Sequence, residues 1–257
     1  MQTRRSSPLL IAMAKSDMPV QRRWSGLIVH ARGHFLLFDK RSAFHWNAET
    51  GARLLFTVVA IEAIRIVAIE WLHPVLPLVI LVLLLLAGAL GLVRFAARLR
   101  LSQIGLYPWG DWQPVEKSYF VQLLVIANVV FPLVFANRLR LILAQPSVVA
   151  TVWSAFVPYL FFGFYQEVVY RGILQSELVR RWGALAGILS ANVFYTFGPL
   201  HWYYFAAQGS LAVPMFAAIF AIGLFFGVLF WRSGNLWIVA VIHGIGNAYI
   251  VGSLSGR

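Results

Sequence analysis

The chain has 257 residues, 60% of them hydrophobic and 12% charged, with a mean hydropathy of +0.77 and a formal net charge of +12. A soluble domain carries about 25% charged residues, so composition excludes a soluble globular protein. The Lys and Arg residues sit in the N-terminal tail and between apolar runs, which points to cytoplasmic loops and anionic lipid rather than to nucleic acid. Cys is absent, which excludes a disulfide, a thiolate metal site and a Cys nucleophile.

In chain order, residues 1–50 come first as a basic segment holding Arg4, Arg5, Lys15, Arg22, Arg23, Arg32, Lys40 and Arg41. Its apolar stretch from Pro8 to Ala14 is short and is followed by Lys15 and Asp17, so it reads as a cytoplasmic extension without a cleavable signal peptide. Residues 51–257 read as a helical membrane domain. Seven apolar runs approach the length of a bilayer span: Ala52–Leu72, Pro74–Ala97, Tyr119–Ala136, Val148–Val169 (with the helix continuing to about Arg181), Gly183–Leu200, Leu211–Trp231 and Leu236–Ser253. Period-2 alternation does not dominate, and helices satisfy their own backbone in lipid. The expected fold is therefore all-α, a polytopic transmembrane bundle of about seven spans with a basic N-terminal extension. With the N-terminus inside, Arg94, Arg98, Arg100, Lys117, Arg180, Arg181 and Arg232 all fall on the cytoplasmic side, as the positive-inside rule requires.

Polar residues inside such segments are costly, and they mark function or buried partners. Three short pieces of the second half concentrate them: Gln166-Glu167-Val168-Val169-Tyr170-Arg171, Phe197-Gly198-Pro199-Leu200-His201 and His243-Gly244-Ile245-Gly246-Asn247. If Trp182-Gly183 is a hairpin, Glu167 lies roughly 22 Å up one helix and His201 roughly 27 Å up the next, at similar height. His243 and Asn247 are four apart and share one face of the last helix. A carboxylate, two imidazoles, an amide and a guanidinium are the inventory of an acid–base site that activates water.

Each piece also has a purely structural reading. Glu167 and Arg171, four apart, make an intrahelical ion pair. His201 suits an interface, beside Trp202. His243 suits a helix-to-helix hydrogen bond, and Gly244 and Gly246 suit close packing of small residues. The first span adds Glu62 and Arg65, spaced to pair along one helix face, and Glu70. Gln122, Asn128 and Asn192 read as interhelical glue.

The order and spacing of the three pieces resemble the CPBP family of intramembrane proteases, which includes the CAAX prenyl proteases and bacteriocin-processing proteins. Its signatures are Glu-Glu-x-x-x-Arg, Phe-x-x-x-His and His-x-x-x-Asn. Here they appear as Gln166-Glu167-x-x-x-Arg171, Phe197-x-x-x-His201 and His243-x-x-x-Asn247, within a protease-like core at 148–253. The resemblance implies Glu167 and His201 activating water, His243 and Asn247 stabilising an oxyanion, and Gln166, Arg171 and Phe197 in support. The first glutamate of the signature, the one assigned to catalysis in the prenyl proteases, is Gln166 here. An amide cannot be a general base, so either Glu167 carries the role or the site is inactive. The run from Gln166 to Gln175 is also similar to myxosortase-like members, which process C-terminal sorting signals.

The function this implies is an intramembrane endopeptidase. It would cut near the C-terminal membrane segment of a partner protein without a covalent intermediate. The alternative is an inactive relative acting as a membrane binding, immunity or scaffold protein. The expected partners are membrane lipids and a protein substrate with a C-terminal transmembrane segment, with no nucleic acid. No cofactor is expected; a zinc set of Glu167, His201 and His243 is the alternative. The expected location is a bacterial inner membrane.

Overall fold

In the computed structural model, the described residues are 47–199, 201, 205 and 209–252, and among them there is no strand. The basic segment 1–46 lies outside the described residues. Helix α1 (Ala48–Leu72) starts where the Asn47 side chain accepts from the Thr50 amide at 2.8 Å, a standard N-cap. Its buried positions Leu54, Val58, Ile61, Arg65 and Ala68 recur every three or four residues, while Phe56, Val59, Val67 and Trp71 are exposed on the opposite face. A helix with one large apolar face turned outward fits a lipid surround.

Helix α2 (Leu78–Phe95) is apolar throughout and buries Leu81, Leu85, Ala89 and Val93. Helix α3 (Pro114–Val134) begins on a favourable N-terminal Pro, and Glu116 accepts from the Gln113 amide at 2.6 Å. The short helix α4 (Ala136–Leu143) follows, where the sequence reading had only a connection. The rod from Val148 to Phe197 contains helix α5 (Val157–Glu167), a wide π-helical segment (Val168–Gln175) and helix α6 (Ser176–Phe197). Within α6 the backbone turns at Gly183, whose φ is +78°. A side chain is strained at that angle, and the expected hairpin between two spans sits there. Helix α7 (Ala212–Ser233) and helix α8 (Leu236–Asn247, continued by a π turn to Gly252) complete the bundle.

Among the described residues, four helices are long and apolar enough to cross a membrane: Leu78–Phe95, Pro114–Val134, Val148–Phe197 and Ala212–Ser233. The remaining expected spans are also helical. Helix α1 carries Glu62, Arg65 and Glu70, and α8 is shorter, which is why neither meets the same criterion by composition and length.

Contacts between distant segments fix which connections share an end of the bundle. The Leu236 amide donates to the Gly105 carbonyl at 2.9 Å, and a side chain at Gly105 would run into the Gly234 carbonyl. The Asn235 amide reaches Glu116 at 3.5 Å. The buried Glu177 carboxylate, held by Arg180 at 2.7 Å and by Arg181, fills the space that a side chain at Gly51 would need. The start of α1, the α2–α3 loop, the stretch around Glu177 and the α7–α8 turn therefore lie together. This is the sidedness that alternating spans require.

Candidate active site

The site is built on a close helix crossing. Helix α5 packs against α8 more extensively than any other pair of elements. Gly163 and Gly244 are at the contact: a Cβ on Gly163 would lie 2.6 Å from the Gly244 backbone, and one on Gly244 would collide with the Leu160 carbonyl. Small residues let membrane helices approach to this distance. Glu167 is one turn beyond Gly163, while His243 and Asn247 lie on either side of Gly244, so the crossing delivers both polar groups of α8 to the end of α5. The reading of Gly244 as a packing residue is what the geometry shows; Gly246 makes only ordinary contact, with the Phe131 ring 3.5 Å from where its Cβ would be.

Two side-chain pairs cross the interface. Glu167 Oε1 lies 2.6 Å from His243 Nδ1, and Asn247 Nδ2 donates to Gln166 Oε1 at 2.8 Å. Glu167 also pairs with Arg171, whose Nη1 lies 3.2 Å from the same Oε1. Both charges are buried, so each is held by the other, as charges in an apolar interior must be. The π segment starts immediately after Glu167 and holds Arg171 inside the bundle. Single wide turns of this kind recur at functional sites. Arg171 is fixed further by donating from Nη2 to the Gly223 carbonyl at 3.0 Å and by lying 4.1 Å over the Tyr195 ring. The second carboxylate oxygen, Glu167 Oε2, is buried and has no hydrogen-bond partner among the described residues.

His201 joins this group through Tyr195. Its Nδ1 lies 2.8 Å from the Tyr195 carbonyl, and its ring meets the Tyr195 ring edge-on at 4.8 Å. The Tyr195 hydroxyl in turn lies 3.3 Å from His243 Nε2. Tyr195 thus touches His201, His243 and Arg171 at once. Phe197, by contrast, packs on Phe216 with ring centroids 4.4 Å apart and offers no polar group. Among the described residues no group of three or more His, Asp or Glu side chains is arranged to hold a metal ion. Glu167, His201 and His243 are not such a group.

With this geometry in hand, comparison with protein families is informative. Residues 148–249 match the family described as Type II CAAX prenyl endopeptidase Rce1-like. That stretch is similar to the CPBP-family intramembrane proteases. No curated protein and no solved structure matches the chain. The matched segment runs from the start of the long rod through the last site residue, Asn247, and leaves α1 to α4 outside it.

Within the matched segment, sequence reasoning named Gln166, Glu167, Arg171, His201, His243 and Asn247, and all are found within one linked group. It missed Tyr195. The available signal was a phenol inside an apolar run six residues before His201; a buried tyrosine hydroxyl needs a partner. Of the residues read as interhelical glue, Asn192 donates to the Phe220 carbonyl on α7, but Gln122 bonds Ser118 on its own helix. Asn128 does both, donating to Leu124 and accepting from Tyr249 at 3.5 Å.

Proposed function

We propose that the chain is an intramembrane endopeptidase that hydrolyses a peptide bond near the C-terminal membrane segment of a partner protein. The observation that carries this reading is the buried Glu167 carboxylate, with one oxygen held by His243 and Arg171 and the other without a partner among the described residues. A carboxylate fixed in this way can take a proton from a water in a largely apolar site.

The proton positions follow from the hydrogen bonds. His201 Nδ1 faces a carbonyl, which only accepts, so Nδ1 carries the proton and Nε2 is left as an acceptor for the same water. His243 has Nδ1 on the Glu167 carboxylate and Nε2 on the Tyr195 hydroxyl. Both its nitrogens are engaged, so we assign it to holding Glu167 rather than to the oxyanion. Asn247 Nδ2 is the donor to the oxyanion, exchanging its bond to Gln166 as the tetrahedral intermediate forms. Such a donor contributes about 2.7–4 kcal/mol in well-studied enzymes. Hydrolysis is direct, with no acyl-enzyme and no metal ion. Cleavage by protein purified in chelator and assayed in its presence supports this, and restoration of a lost activity by zinc alone sinks it.

The second reading, an inactive binding or scaffold relative, is favoured by one observation: the amide of Gln166 stands where the family signature has its first glutamate, and it faces Asn247. Reconstitution in lipid vesicles with a peptide carrying a C-terminal span and a basic tail decides between the two. Cleavage by the native chain, retained or raised in Gln166→Glu, supports Glu167 as the base, since two adjacent carboxylates share a proton and raise one pKa. Cleavage that appears only in Gln166→Glu makes the native chain a relic.

We further propose that the N-terminus is cytoplasmic, in a bacterial inner membrane, because the end of the bundle gathering Arg100, Arg180 and Arg181 is then inside. Reporter fusions at Gly110 are expected to read internal, and fusions at Gly209 and Arg257 external. Opposite results at two of the three overturn the orientation.

A further inference from the structure

Helix α1 lies outside the matched segment, yet it sends an ion pair toward the site. Arg65 donates from Nε and Nη2 to Glu62 Oε2 at 3.0 and 2.8 Å, leaving Glu62 Oε1 to accept from the Tyr165 hydroxyl at 3.2 Å. Arg65 is 5% exposed. A charge pair at this depth is costly unless each oxygen and nitrogen is used. Tyr165 directly precedes Gln166-Glu167 and is fully buried. Tyr170 lies three residues after Glu167, in the π segment against which α1 packs. Its ring meets Tyr195 edge-on at 5.3 Å, and its hydroxyl borders Gly198 in the turn leading to His201.

We infer that Glu62, neutralised by Arg65, is a positioning residue for the active site: by holding Tyr165, and through the neighbouring Tyr170, it fixes the stretch that carries Glu167 against the turn that carries His201. The inference rests on the proteolytic reading above for its effect on turnover, but not for its effect on geometry. Neither Glu62 nor Arg65 touches the reacting groups. Their role is exerted through Tyr165, directly before the catalytic dipeptide, and through the π segment carrying Tyr170, whose ring meets Tyr195. The arrangement gives the Glu62 carboxylate a partner outside its own helix. An ion pair serving α1 alone has no need to spend one carboxylate oxygen on a hydroxyl of α5.

The test uses the full chain in lipid nanodiscs with ¹⁵N-labelled histidine, comparing the native protein with Tyr165→Phe, Glu62→Gln and the Glu62→Leu/Arg65→Leu double variant. Tyr165→Phe deletes one hydroxyl and leaves the ion pair in place, so it is expected to fold. The expected result is a displaced His243 or His201 imidazole resonance in all three variants. On the peptide with a C-terminal span, kcat is expected to fall by roughly 10-fold or more with KM little changed, as a small misplacement of reacting groups does. A role confined to stability moves only the melting temperature: unchanged imidazole resonances together with unchanged kcat per folded molecule overturn the inference. If the native chain cleaves nothing while the imidazole resonances still move in Tyr165→Phe, the proteolytic reading fails and the positioning role stands.

Discussion

Glu167→Gln is expected to abolish cleavage while the protein still inserts into the membrane. The substitution keeps the shape and one acceptor oxygen, so His243 retains a partner. It removes the only carboxylate in the linked group, and with it the base. Loss of a general base costs about 10²–10⁴-fold in rate, which takes turnover of a membrane substrate to the detection limit. The variant also leaves the Arg171 charge buried without its counter-ion. Breaking such a pair costs about 3–5 kcal/mol, although Arg171 keeps the Gly223 carbonyl and the Tyr195 ring face. Melting temperature in detergent is therefore expected to fall together with activity. The assay is informative when run well below that temperature, on protein shown to be monodisperse. His201→Ala is expected to match it in activity with a smaller effect on stability, since His201 pairs with a backbone carbonyl rather than with a buried charge. Native-like cleavage by Glu167→Gln would falsify the assignment of the base.

The second large effect is expected at Gly244, which has no side chain to take part in proton transfer. A side chain there meets the Leu160 carbonyl, which belongs to the α5 backbone and cannot swing away. Gly244→Val must push the two helices apart or tilt them. Overpacking costs about 1–3 kcal/mol in well-packed interiors. The larger consequence is geometric. His243 and Asn247 ride on the displaced helix while Gln166 and Glu167 stay on the other, and a shift of about 1 Å at reacting groups costs about 10²-fold. Gly246→Ala is the control: its Cβ makes ordinary contact with Phe131, so near-native activity and stability are expected. Equal losses in both variants, measured as melting temperature and cleavage rate, would show that the crossing has no special role.

Much of this was legible in the chain itself. A carboxylate or an imidazole in a 20-residue apolar run stands out against its surroundings, because lipid makes each one expensive. That contrast singles out Glu167, His201, His243 and Asn247 without any fold. The same reasoning locates the helices: apolar length sets the spans, and Gly183 and Ser233-Gly234-Asn235 mark the turns. It fails where apolar content and helix formation part company. Helix α4 was passed over because Arg138 and Arg140 interrupt its apolar residues, yet a helix lying outside the apolar core has no reason to be uniformly apolar.

The sequence by itself determined the class of the protein, the order of its apolar spans, and most of the polar residues of the site, since each of these depends on composition and on spacing along one element. Only the tertiary structure decided who pairs with whom. Glu167 meets His243 rather than His201, because the Gly163–Gly244 contact brings α5 and α8 together at that height. His201 connects through Tyr195, a residue that linear spacing had no means of ranking. Glu62 bonds Tyr165 across 103 positions of chain. Partners that distant are set by which helix faces touch, and that is a property of the packed bundle, not of any one segment.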